Sequence, residues 1–399
     1  MVEALPWNRN ILRRLYINQD EKSFNESSAM KWFNAVFNIA FHCSQFSIIV
    51  SLLFFMHRHI KSFEKVLLGV YEMGVTTSAY FTFWALFFAR NEVTEFFDDL
   101  QGIYDENKDE RSFHVFVEGN EQSEKSTKFL MRGAPTVYFL YQVFLAFLSL
   151  FICYRADGYI DPARLSLYNP FKFVLPWNQK SLIGCIASRL YALLFGQSYV
   201  ILNGVAGSYF VAIVHHHNTF YKHYDALCGQ INEISQMENN GPMAKHTLIK
   251  LIKFHTAAKG LFLKSADIFS RAIMIQLIGG TIYVSCRIFQ LDVTVQNRDP
   301  NALLVIVGMS VGLSYLFLFC YYGKRTNVYY YLMGHSLFES NWYLLSYELQ
   351  KFYVLMIANA QLPVNYHGMN VVDLNLERFT KILNTIISYY LAFKTLIMG

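Results

Sequence analysis

Charge is scarce in this sequence: only 16% of its 399 residues are Asp, Glu, Lys or Arg, where soluble domains carry about 25%. The deficit excludes the two or three water-solvated domains that length alone would suggest. Proline and glycine are thin as well, at 8 and 21 residues, which excludes collagen-like and low-complexity material. The net charge of +5 is spread along the chain, so no basic block exists to dock nucleic acid. Six cysteines (Cys43, Cys153, Cys185, Cys228, Cys286 and Cys320) match neither a zinc spacing nor a dense disulfide framework. The opening residues, MVEALPWNRN, lack the apolar core of a signal peptide. Insertion would then rely on the first membrane helix, with the N-terminus retained. Phosphate-cradling glycine loops, a Gly-x-Ser-x-Gly elbow and His-Glu-x-x-His are all missing. We therefore expect no enzyme, no metal and no cofactor. Neither a solenoid repeat nor an inverted repeat is visible, and intramembrane charges are too few for a proton-driven transporter.

What is abundant is apolar surface. Hydrophobic residues make up 54% of the chain, including 36 Phe alongside 27 Tyr. A helix needs about 20 apolar residues to cross the hydrocarbon core. Six stretches qualify: 33–56, 66–89, 133–154, 183–214, 266–290 and 302–322. A seventh, from 379 to the end, is interrupted by Lys381 and Lys394 and carries Asn384, Thr385 and Ser388. So weak a final span suits a helix shielded from lipid or facing water. The fold class expected is all-α, a seven-transmembrane helical membrane protein.

Orientation follows from the basic residues. Of the 34 Lys and Arg, 21 lie in the N-terminal arm and the loops after spans two, four and six, against nine in the other loops. Arg287, at the very end of span five, is counted with its loop. That excess predicts a cytoplasmic N-terminus and, after seven spans, an extracellular C-terminus. Such an orientation opposes that of a G-protein-coupled receptor, the rival of another class. No Asp-Arg-Tyr ends span three and no Asn-Pro-x-x-Tyr lies in span seven. The sequon Asn25-Glu26-Ser27 falls in the cytoplasmic arm and should be silent. The large loops, 90–132, 222–264 and 324–378, are all on that side. The first is polar and of mixed charge; the second has helical patterning, with Leu227, Ile231, Ile234 and then Leu248, Leu251, Ile252. Helices continuing below the membrane would form a packing region there.

The C-terminal third carries a set of elements in a particular order. Lys253-Phe254-His255-Thr256-Ala257 leads into span five, and Cys320-Tyr321-Tyr322-Gly323 closes span six. Ser340-Asn341-Trp342-Tyr343 follows, then Met356-Ile357-Ala358-Asn359-Ala360-Gln361-Leu362-Pro363. The last helix ends in Ser388-Tyr389-Tyr390-Leu391-Ala392-Phe393-Lys394-Thr395-Leu396. In order and spacing this resembles the insect odorant receptors, by motif over 227–399 and by length and topology over the whole chain. It departs from them at Lys394 and at the Gly399 end. The resemblance implies a ligand-gated, non-selective cation channel, tetrameric around one pore, built from an odorant-tuned subunit and a shared co-receptor. The co-receptor type has a longer second cytoplasmic loop; 222–264 is short, so this chain resembles the tuned subunit. Volatile ligand, co-receptor, membrane lipid and permeant cations are the partners implied, and the plasma membrane of olfactory sensory neuron dendrites the location. A gustatory receptor of the same architecture, able to form homomers, is the nearest alternative. A non-conducting relative with a broken pore is another.

On this reading residues 1–323 form a ligand-binding bundle, and 324–399 a cytoplasmic anchor followed by a pore-lining helix. On that last helix Thr385, Ser388, Tyr389, Ala392, Thr395 and Leu396 recur at helical spacing. Ala392 and Leu396 are expected nearest the constriction and Lys394 close to the outer mouth, either facing the pore or reaching headgroups. The bland alternative is a helix contact through small residues. The expected ligand pocket lies in the outer half of the bundle, since small volatiles need apolar and aromatic walls with a few polar groups. Its candidates are Met73, Thr76, Thr77 and Tyr80; Tyr138, Tyr141, Phe144, Leu145 and Leu148; Tyr191, Phe195, Tyr199 and Asn203; and Met309 and Tyr315. Any one aromatic among them could equally be packing. His215, His216 and His217 point about 100° apart and cannot share one ion; a solvated interfacial cluster is expected. Asp267 and Arg271 suggest a local ion pair, Glu72 a functional charge or a partner for Arg189, and Cys153 with Cys185 a disulfide across the outer loop.

Overall fold

The computed structural model describes residues 3–15, 17, 27–157, 159, 161–165, 175–237, 241–296 and 302–398. Nearly all of them are helical. α1 covers Pro6–Arg14, α2 Ser28–Arg58, α3 Phe63–Phe88, α4 Arg90–Glu106, α5 Phe113–Asp157 and α6 Pro162–Leu165. α7 covers Leu182–Ser235, α8 Gly241–Gln296, α9 Ala302–Glu339, α10 Tyr347–Ala360 and α11 Leu376–Met398. Among the described residues the other regular elements are a 3-10 turn, Trp342–Leu344, and a hairpin of β1 (His367–Gly368) and β2 (Val372–Asp373). The all-α expectation holds.

Five stretches within these helices are long and apolar enough to cross a membrane: Lys31–Arg58, Phe113–Arg155, Leu182–Ser235, Gly241–Gln296 and Val305–Leu344. α3 and α11 complete the seven. These two spans are diluted by polar residues: Glu72, Thr76, Ser78 and Thr82 are buried on α3, and α11 carries Lys381, Asn384, Thr385, Ser388 and Lys394. Large apolar side chains stand exposed along the outer faces, among them Phe46 and Phe54 on α2, Phe147 and Phe151 on α5 and Ile183 on α7. Water would oppose a belt of that extent; lipid tails would not.

Helix length then builds a second layer. α7 and α8 have 54 and 56 residues, about 80 Å each at 1.5 Å per residue, against a hydrocarbon core of about 30 Å. Their continuations pack with α1, α4, α10 and the early turns of α5. The 90–132 stretch, polar by composition, hides a helix: Val93, Phe96, Phe97, Leu100, Ile103 and Tyr104 all fall on one buried face of α4. Phe97 stacks on Tyr209 of α7 at 5.6 Å between ring centroids, and the Arg9 guanidinium lies over the same Phe97 ring. α1 is fastened to this layer by Ala4 N donating to Gln101 Oε1 (3.0 Å) and Leu5 N to Asn120 Oδ1 (2.9 Å). The N-terminus therefore sits at the end of the bundle that carries the large loops.

α9 runs unbroken through the expected boundary at 323/324. Nothing there stops a helix: Gly323 packs against Leu374, so its missing side chain serves close approach. Two residues of the hairpin, Met369 and Asn370, take left-handed φ of 49° and 57°, and the turn places Tyr366 and Leu374 in the core before α11 begins. α3 and α8 approach closely because Gly279 has no side chain. A Cβ there would lie 2.4 Å from that of Ser78 and 3.4 Å from the Gly74 carbonyl oxygen.

Candidate functional site

In the upper bundle, phenols from four helices gather round one cation. The Arg287 guanidinium of α8 lies 4.5 Å from the Tyr71 ring centroid (α3) and 5.4 Å from that of Tyr283 (α8). Tyr141 of α5 and Tyr199 of α7 are within electrostatic reach of it. Its Nη1 donates to Gln290 Oε1 at 2.9 Å, while Nε is buried without a hydrogen-bond partner. The Tyr283 hydroxyl donates to the Gly308 carbonyl of α9 at 3.0 Å. Gly308 and Gly312 open the slot for this pair: a Cβ on Gly312 would meet the Tyr283 ring at 2.6 Å. Tyr71 turns its hydroxyl to Glu72 Oε1 at 3.1 Å.

About 16 Å further down α8, eleven residues at helical rise, lies a polar floor. Gln276 Nε2 donates to Thr82 Oγ1 (2.8 Å) and Asn203 Oδ1 (3.1 Å). The Tyr315 hydroxyl donates to the Asn203 carbonyl at 2.9 Å, and Tyr199 joins this floor to the cage above through its proximity to both Tyr315 and Arg287.

The residues expected in a pocket thus divide. Asn203 and Tyr315 belong to the polar floor, Tyr141 and Tyr199 lie within electrostatic reach of Arg287, and Met309 packs alongside the main core. Met73 and Tyr191 belong to a separate cluster with Ile48, Leu52 and Ala192, where the Tyr191 hydroxyl is 2.8 Å from Ser47 Oγ. Tyr138 donates to the Ala192 carbonyl and accepts from Gln142. The Thr76 and Thr77 hydroxyls bond back to the carbonyls of Glu72 and Met73. Tyr80 leans on His42 and Trp84. Leu145 is buried and Leu148 half-buried. Phe144 is a correction: it is 52% exposed on the outward face of α5, because the inward stripe there is set by Tyr141, Leu145 and Leu148. The Phe195 side chain lies outside the described residues.

Arg287, Tyr283, Tyr71, Gln276 and Gln290 were missed. The charge count places Arg287 at the very end of span five and groups it with the following loop, but α8 continues to Gln296 and holds it inside the bundle. A tyrosine four residues before an arginine in an apolar span was the available signal.

On α11, Thr385, Ser388, Tyr389, Ala392, Thr395 and Leu396 are all exposed in the single chain. The opposite face, with Ile382, Ile386, Tyr390 and Phe393, packs inward. Three hydroxyls of the exposed face are bonded to their own helix, Thr385 to Lys381, Ser388 to Asn384 and Thr395 to Ala392. Lys394 leaves that face. Its Nζ donates to Asp292 Oδ2 at 2.7 Å and to the Tyr390 hydroxyl at 3.2 Å, and Tyr390 donates to the same carboxylate at 3.1 Å. It takes neither the pore-facing nor the headgroup position expected of it, because α8 offers a carboxylate within reach.

A family model described as 7tm Odorant receptor matches residues 62–387. The chain belongs to the odorant receptor family. It resembles the insect olfactory receptor OR5 from Machilis hrabei solved in complex with eugenol, with a TM-score of 0.74, 11% identity and coverage of 98% and 97% of the two chains. A second structure of that receptor matches with a TM-score of 0.73, 12% identity and coverage of 97% and 96%. A Drosophila melanogaster chain named as odorant receptor 92a is 24% identical over 152 residues, 38% of this chain and 36% of that relative's length. The receptor is a multi-pass helical membrane protein, and its family comprises receptors rather than enzymes.

His216 and His217 are buried, not solvated, since α7 continues into the lower layer where Tyr104, Tyr330 and Tyr366 meet them. His216 Nδ1 is 3.1 Å from the Tyr104 hydroxyl, and His215 Nε2 is 3.0 Å from Ser126 Oγ. Glu72 and Arg189 have separate partners: Arg189 Nη2 donates to Ser149 Oγ at 2.6 Å. Asp267 and Arg271 are both exposed and no ion pair joins them, as little favours an isolated surface pair. Cys153 and Cys185 carry thiols rather than a disulfide, packed in one apolar cluster with Leu165. Among the described residues no cluster of three or more His, Cys, Asp or Glu could hold a metal.

Proposed function

We propose that this receptor is the odorant-tuned subunit of a heteromeric, ligand-gated, non-selective cation channel in the plasma membrane of olfactory neuron dendrites, with its N-terminus cytoplasmic. The observation that carries the reading is a shared wall. Tyr71, Cys286 and Phe289 form one cluster with Tyr283 on the cage side and with Tyr390 and Phe393 of α11. A ligand that rearranges the cage therefore rearranges the seat of the seventh helix. Gating requires the ligand to bind the open arrangement more tightly than the closed one.

The exposed face of α11 suits a pore shared by four subunits, with Leu396, 69% exposed, at the hydrophobic constriction. Exposed Tyr347, Phe352 and Leu355 on α10 offer apolar surface for neighbouring subunits in the lower layer. Only residues 236–240 separate α7 from α8, which supports the tuned type over a co-receptor. The neighbouring receptor's eugenol, a small aromatic, suits the phenol-lined cage as a size class.

Whole-cell recording from cells expressing this chain with and without an odorant co-receptor, during a panel of volatiles, tests the proposal. A cation current that needs both chains is expected. Current from this chain alone would assign a homomeric, gustatory-like channel instead, and silence with confirmed surface expression across a broad panel would overturn the channel reading.

A further inference from the structure

Among the described residues, α5 and α9 both pack on α7 but scarcely meet each other. A cleft of about 410 Å³ stays open between them, floored by Val211 of α7. That volume falls within the roughly 300–1,000 Å³ of small-ligand clefts. The cleft lies apart from the Arg287 cage, twelve residues along α7 from Tyr199.

Its two walls are graded in the same sense. α5 rises from the lower layer while α9 descends into it. Lys125 and Ser126 therefore stand level with Tyr322, and Phe129 and Leu130 level with Leu318. Above the cleft the exposed side chains are apolar, Val137 and Leu140 on α5 and Val311 and Phe317 on α9. At its lower end they are basic, with Lys125 on one wall and Lys324 and Arg325 below the other. The cleft thus crosses the level at which a phospholipid passes from headgroup to hydrocarbon.

The lower end is chemically cationic. Lys125 keeps a loose contact with Glu121, 3.9 Å apart with side chains 80% and 63% exposed; such a pair is worth little and yields to a better-placed anion. Ser126 Oγ meets His215 Nε2 at 3.0 Å, one of the three hydrogen bonds a hydroxyl can make. Arg325 follows Tyr322 by one turn on the same stripe of α9, its Nε donating to the Tyr329 hydroxyl at 3.2 Å. Lys128 and Arg132 turn to the Trp7 ring instead, and Glu124 is matched by Lys128 at 3.1 Å. No carboxylate occurs in the sequence from Lys125 to Arg155 or from Leu318 to Phe338. Basic residues gathered at the membrane surface attract anionic lipid, and the apolar upper end suits an acyl chain.

We infer that this cleft binds one anionic phospholipid, its phosphate at Lys125, Ser126 and Arg325 and an acyl chain along Phe129, Leu130, Val211 and Leu318. The site stands independently of the channel reading; only its assignment to the cytoplasmic leaflet rests on the orientation proposed above.

The test is native mass spectrometry of the purified full-length chain in detergent, titrated with dioleoyl phosphatidylglycerol, dioleoyl phosphatidylcholine and inorganic phosphate. The two lipids share a phosphodiester and differ in net charge. Wild type is compared with Lys125→Glu, Leu318→Trp and Lys245→Glu, the last exposed near the start of α8 and away from the cleft. We expect one phosphatidylglycerol per chain, held about fivefold or more tighter than phosphatidylcholine, and no saturable binding of phosphate. Lys125→Glu should remove that preference and leave phosphatidylcholine within about twofold, while Lys245→Glu changes neither. Leu318→Trp, which fills the apolar end, should weaken both lipids. Thermal midpoints of the lipid-free variants separate a filled cleft from a misfolded chain, and the exposed Lys125→Glu carries the comparison if Leu318→Trp is unstable. Equal affinity for the two lipids, an undiminished preference in Lys125→Glu, or an equal loss in Lys245→Glu would overturn the inference. Phosphate bound as tightly as the lipid would overturn it too, in favour of a free-anion site. No current is read, so failure here leaves the channel reading standing.

Discussion

Both ring nitrogens of His217 face phenols, Nε2 at 3.2 Å from the Tyr366 hydroxyl and Nδ1 at 3.4 Å from that of Tyr330. Tyr330 donates onward to the Ala258 carbonyl and Tyr366 meets Ser265 Oγ at 2.8 Å, so one imidazole ties α7 to α8, α9 and the hairpin segment. His217→Ala should lower the stability of the purified receptor by about 2–4 kcal/mol, since it leaves buried hydroxyls short of a partner as well as a void. A thermal midpoint unchanged from wild type would return the residue to a solvated role. Glu110 carries a different kind of dependence. Burial works against its charge, but the Lys250 ammonium at 2.5 Å outweighs this, with His223 and Gln230 helping, and holds the carboxyl below its ordinary value. A depressed folded pKa means the stabilisation is fully present above the unfolded carboxylate value and disappears as pH falls through the folded one. Glu110→Gln should therefore cost about 0.5–1 kcal/mol at neutral pH and nothing in acid below the folded pKa, measured as denaturation midpoints across that range.

Among the elements, α4 and α11 make the most specific demands. Phe97 is wholly buried between α1 and α7, and Phe97→Ala should destabilise the lower layer by about 3–5 kcal/mol. Its check is limited proteolysis of the detergent-solubilised receptor, with faster cleavage near Glu106 expected; a flexible polar loop would be cut equally in both proteins. At the other end, the Asp292–Lys394–Tyr390 set fastens α11 to the end of α8. On the proposed channel reading, Asp292→Asn should raise the ligand-independent current several-fold, and the exchanged pair Asp292→Lys with Lys394→Asp should restore it. Equal basal currents in all three would show the contact to be ornamental. These two elements also differ in how far they could be read. The exposed stripe of α11 follows from a single period of hydroxyls and small residues. α4 has the apolar spacing of a buried helix, yet its net polarity concealed that face.

For the molecule as a whole, the basic residues cluster at the end where α1 packs, which predicts that Asn25, outside the described residues, stays unglycosylated. Glycosidase-induced mobility shifts of the wild type should be absent, and appear when a sequon is placed between α5 and α7. Span number, helical class, the short α7–α8 connection and the family pattern were all legible in one dimension. The reason is that hydropathy over about 20 residues and period along a helix are local properties. The same code is silent on which apolar face meets lipid and which meets protein, because both media are equally apolar. Phe144 and Tyr141, three residues apart, are indistinguishable by type and period; only the packing of α5 on α7 turns one of them inward and leaves the other exposed. Arg287 reads as a loop charge because a cation at a span's end looks like an interface; the rings of Tyr71 and Tyr283 and the amide of Gln290 receive it inside the bundle. Lys394 likewise needed Asp292, 102 residues away, to leave the exposed stripe of α11. Composition and period alone settled that this chain is a bundle of seven spans with a long helical base. Contacts between residues far apart in sequence decided where its charges are held.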